Sequence, residues 1–94
     1  MFNLRLMGFE ADPKLLDDIY RSSNRVYDAL PLDSDLNVTL AQTPEKDFYR
    51  CTVSFNSLWG HSEARESWIN PKQALRAALL SITEDIRTLR SIRV

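Results

Sequence analysis

The hydrophobic period of this chain switches from two to about 3.6 and back, which restricts it to a sheet built together with helices. Phe2, Leu4 and Leu6 alternate with Asn3, Arg5 and Met7, the pattern of a strand buried on one face. Asp12-Pro13 then reads as a helix start, because an Asp side chain caps free N–H groups and proline at the first helical position loses nothing by lacking one. Leu15, Ile19, Val26 and Leu30 fall in one helical arc that Leu16, Tyr20 and Tyr27 widen, and Pro31 closes the segment. Alternation returns in Leu36, Val38 and Leu40 and again in Tyr49, Cys51, Val53 and Phe55, with turn residues at 43–47 between them. A turn at 56–60 leads to a fourth strand over His61 to Glu66, with Ser62 and Ala64 inward. Asn70-Pro71 repeats the capping signal, with Gln73 placed as a capping-box partner. Leu75, Ala78, Leu79, Ile82, Ile86 and Leu89 then form a stripe through about five turns that ends in a basic last turn with Arg87 and Arg90.

The expected fold class is therefore α+β in the order β-α-β-β-β-α. A parallel crossover followed by hairpins gives a mixed four-stranded sheet with two helices packed on one face. The 94 residues, 44% hydrophobic and 27% charged, make a single domain over 1–94 with one core.

Composition removes several function classes. Twelve Lys and Arg against thirteen Asp and Glu give a net charge of -1, so any anion binding must come from local clustering. One cysteine, Cys51, cannot form an internal disulfide, which points to a reducing compartment. Apolar runs such as 77–80 are far too short to span a membrane, and the opening residues are too polar for a signal peptide, so a cytoplasmic protein is expected. Gly8 and Gly60 alone cannot build a phosphate loop. Alternation puts Cys51 in the core and His61 on the opposite face, so no catalytic dyad, cofactor site or metal site is expected. Glu63, Glu66 and Asp47 have no spacing of a paired acid and base.

Taken together, Leu4-Arg5-Leu6-Met7-Gly8, the run His61 to Ser67 with Ala64 and Glu66, and Ala74-Leu75 followed by Leu79, Ile82 and Ile86 resemble the bacterial ribosome hibernation-promoting factor and ribosome-associated inhibitor family. The resemblance covers nearly the whole chain. With Val94 directly after the last helix, it is to the short form. It implies a non-enzymatic factor that binds rRNA of the small ribosomal subunit in the decoding channel and silences translation under stress, through basic side chains on its helices.

Projected on helical wheels, Lys14, Arg21 and Arg25 share one stripe of the first helix, while Lys72, Arg76, Arg87 and Arg90 occupy one flank of the second. Arg21, Arg25 and Arg87 align best with basic positions of the family; Ser22 and Thr88 stand where a basic residue is expected. Guanidinium forks suit phosphate because they donate two parallel hydrogen bonds and never lose their charge. The first stripe can equally be a solvated face, since Asp18 lies four residues after Lys14 and three before Arg21. Glu84 and Asp85 project away from the second flank and leave it unneutralised. The open sheet face should show Arg5, Asn37, Thr39, Arg50, Thr52, His61 and Arg65, of which Arg5, Arg50 and Arg65 are further RNA-binding candidates. That face lacks the aromatic pairs of sheet-type RNA readers. Trp59 and Trp68 flank the fourth strand; they either close the ends of the core or serve a base or a protein partner. The alternative function is a protein-interaction module on the same fold that has lost ribosome binding.

Overall fold

The computed structural model describes residues 1–44 and 48–93. The chain runs β1 (Phe2–Met7), α1 (Pro13–Asp28), β2 (Asp35–Gln42), β3 (Tyr49–Ser57), β4 (Gly60–Trp68) and α2 (Pro71–Arg93), which is the expected order. Of the turn expected at 43–47, residues 45–47, Asp47 among them, lie outside the described residues. The sheet has the order β1-β2-β3-β4. β1 and β2 are parallel with Leu4 opposite Val38, and the other two pairs are antiparallel, with Val38 opposite Val53 and Val53 opposite Ala64.

Both helix starts follow from their capping residues. The Asp12 carboxylate accepts the Leu15 N–H at 2.8 Å, and the Asn70 side-chain oxygen accepts the Lys72 N–H at 2.8 Å. Among the described residues Gln73 makes no return bond to Asn70; it lines an open concavity that Trp68 also lines. α1 stops at Asp28 with Ala29 as its C-cap, and the restriction that Pro31 places on Leu30 disfavours any continuation. α2 is longer than its apolar stripe indicates. Its 23 residues make about six turns, so Arg87 sits inside the helix and not in its last turn.

Ile19 and Val26 of α1, Leu36, Val38, Leu40, Cys51, Val53, Phe55 and Ala64 of the strands, and Leu75, Ala78, Leu79, Ile82 and Ile86 of α2 form one buried cluster. Both helices therefore cover the same sheet face. Phe2 anchors β1 to α1, its ring 6.0 Å from Tyr20 edge-on and 6.1 Å from Tyr27. β4 extends one residue before and two beyond the expected His61 to Glu66. Gly60, with φ of 132°, opens it where α2 passes close: a Cβ there would lie 3.6 Å from the Leu89 methyl groups, in a backbone conformation L residues rarely adopt. Ser23, polar in sequence, is fully buried on α1.

Candidate nucleic-acid interface

The two helices meet along a groove of about 410 Å³, open to solvent. Its apolar floor is Val26, Leu75 and Leu79, all buried core residues. Its walls carry Arg21 and Arg25 from α1 and Lys72 and Arg76 from α2. Four of the seven helix cations singled out in the sequence are thus brought together by the packing of α1 on α2. Against them the lining has one carboxylate, Asp18, so a chain with net charge -1 has a local cationic excess here. Ser22, where a basic residue was expected, lines the same groove.

The ion pairs differ from those expected along the helices. Arg21 is held by Asp17, one turn before it, at 2.6 Å. Asp18 instead reaches across the groove to Lys72 at 3.3 Å, because its position on α1 faces the start of α2. Arg25 and Arg76 form no ion pair among the described residues. Exposed pairs of this kind contribute about 0–1 kcal/mol, so phosphate can displace the carboxylate from Arg21 at little cost.

Arg87 and Arg90 are exposed on α2 but lie outside the groove, whose lining ends at Thr83. Arg76 and Arg87 are eleven residues apart, about 16 Å along the helix. The flank was expected to be free of acids, but Glu84 reaches Arg87 at 3.6 Å, since residues three apart are neighbours on a helix. Asp85 turns the other way and accepts a hydrogen bond from the Ser62 hydroxyl of β4.

The open sheet face has the expected membership. Arg5, Thr39, Thr52 and Arg65 stand in one register row across all four strands, with Arg50 in the next and His61 exposed near the β3–β4 turn. Glu63 engages Arg65 at 3.1 Å, while Asn3 donates to Asn37 at 3.0 Å. These cations are on the sheet face away from the helices, so they form a separate surface from the groove.

Cys51 is buried, and desolvation pushes its thiol up to about 12. It is kept protonated and unreactive, while His61 is on the other side of the sheet. Among the described residues no group of three or more His, Cys, Asp or Glu could hold a metal ion. No described helix is long and apolar enough to cross a membrane. The two tryptophans separate: Trp59 packs against the core, whereas Trp68 is 46% exposed at the end of β4.

No protein-family model matches the sequence, and no curated protein does. Solved structures do match. The N-terminal domain of protein Y from Thermus thermophilus superposes with a TM-score of 0.75 at 14% identity, over 92% of this chain and 93% of that one. A ribosomal subunit interface protein from Coxiella burnetii superposes with a TM-score of 0.77 at 7% identity, over 97% of this chain and 99% of that one. At such identities the likeness is one of backbone. The chain has the fold of the protein Y N-terminal domain and of a ribosomal subunit interface protein, the fold that its resemblance to the hibernation-promoting factor family implied.

Proposed function

We propose that this chain is a non-enzymatic, cytoplasmic, ribosome-associated factor that silences translation by binding rRNA of the small subunit in the decoding channel. The observation that carries this reading is the convergence of Arg21, Arg25, Lys72 and Arg76 on one groove. Two guanidinium groups there, Arg25 and Arg76, have no ion-pair partner among the described residues and are open to an incoming anion. The fold is that of a ribosomal subunit interface protein, which supports the same partner. Arg87 and Arg90 extend the cationic track along α2, and Arg5, Arg50 and Arg65 offer a second, weaker surface. With no aromatic pair on the open sheet face, contacts to phosphate and shape dominate over sequence reading. Sucrose-gradient sedimentation of stationary-phase lysate tests this: the protein co-migrates with small subunits or whole ribosomes, and recovery only at the top of the gradient at low salt refutes it.

A second reading, a protein-interaction module that has lost ribosome binding, draws on the ion pairs at Arg21, Lys72 and Arg87 and on exposed Trp68. It requires the protein to remain off the ribosome in the same gradient.

A further inference from the structure

Trp68 is an exposed aromatic side chain that the groove does not account for. It ends β4 on the helix-covered side of the sheet, yet nearly half of it faces solvent. It makes no ring pair with another aromatic among the described residues. Instead it lines an open concavity of about 240 Å³ with Gln73, Arg76, Ala77 and Leu80. Arg76 and Leu80 also line the α1–α2 groove, so the two depressions adjoin around these residues. An apolar ring surface thus lies directly beside the cationic groove, with Arg76 between them. No carboxylate lines the concavity.

We propose that Trp68 is the stacking platform for an unpaired base of the RNA whose phosphates enter the groove. Arg76 holds the phosphate at the junction, the base lies against the indole and Leu80, and the Gln73 amide is placed to donate to or accept from the base edge. A duplex cannot use this arrangement, since its base faces are stacked on one another. This inference rests on the groove being an RNA site and narrows the target to a single-stranded segment. The cationic surroundings favour a polyanion over a neutral apolar peptide.

The test uses the Trp59→Phe protein, which leaves Trp68 as the sole tryptophan of the two. Its fluorescence is followed while oligouridylate, an RNA duplex of equal length, inorganic polyphosphate or an acidic peptide is added. Oligouridylate quenches Trp68 saturably; duplex and polyphosphate bind without comparable quenching. Measured by filter binding, Trp68→Leu weakens oligouridylate affinity about 5- to 150-fold, Trp68→Tyr restores most of it, and polyphosphate affinity stays constant. Single-strand affinity unchanged in Trp68→Leu, with polyphosphate still bound, overturns the stacking role and leaves the groove reading standing. Binding of none of the anionic probes removes the groove and the platform together. Quenching by the acidic peptide and not by RNA reassigns the patch to a protein partner.

Discussion

The Lys72 ammonium lies 3.3 Å from the Asp18 carboxylate, joining the first turn of α2 to the middle of α1 across the mouth of the cationic groove. The Asp18 side chain is 28% exposed, less than any other member of the ion pairs here, so this bridge is the most shielded of them. It also sets the one carboxylate of the lining among the groove's cations. The pair orients Lys72 and at the same time opposes an anionic ligand.

Asp18→Asn removes that opposition and frees Lys72. RNA affinity should rise about three- to tenfold at low ionic strength, the scale of one charge at contact distance, and the gain should shrink in high salt. Stability should change by less than about 1 kcal/mol, as for other solvent-accessible pairs. Filter binding at two salt concentrations with a thermal melt checks both expectations.

Ile82 is fully buried at the middle of α2 beneath the strands. Ile82→Ala should cost about 2–5 kcal/mol through reduced burial and the cavity left behind, a large share of a small domain's stability. Urea unfolding measures it, and a loss below about 1 kcal/mol would contradict the observed packing of α2 on the sheet.

Burial raises the Cys51 thiol from its ordinary 9.0 to about 12. The native thiol therefore stays protonated where an unfolded one ionises. Between about pH 9 and 12 the unfolded state releases a proton that the folded state retains, so this group lowers stability as pH rises through that window and has no effect below it. Native protein should resist iodoacetamide at pH 8 and react fully in urea, as read by mass spectrometry.

The parts of this structure that depend on neighbours in sequence were legible in the sequence itself. Asp12-Pro13 and Asn70-Pro71 marked both helix starts, and alternation marked the strand faces. The helical arcs placed Arg21 with Arg25 on one stripe of α1 and Lys72 with Arg76 on one flank of α2, but only the packing of α1 on α2 makes them one groove. The partner of Asp18 was not legible, because Lys72 is 54 residues away in sequence and local spacing offered Lys14 and Arg21 instead. Burial of Ser23 and exposure of Trp68 were also hidden. Ser23 lies between Ile19 and Val26 on the buried arc of α1, which its polarity does not report, and alternation gives the sheet face of Trp68 but not how much of it is covered. Arg87 aligned with Arg76 in projection, yet the groove stops before it because a wheel discards distance along the axis.

The charge in the groove is the central claim, and reversing its two unpaired cations tests it most directly. Arg25→Glu with Arg76→Glu should leave the melting temperature nearly unchanged, since both residues are exposed. Affinity for purified small subunits should fall at least about tenfold, and the dependence of log affinity on log salt should flatten by roughly 0.7 to 0.9 for each phosphate no longer neutralised. Arg87→Glu with Arg90→Glu, outside the groove, should weaken binding less. Equal affinity and an equal salt slope in wild type and the Arg25/Arg76 variant would contradict the account.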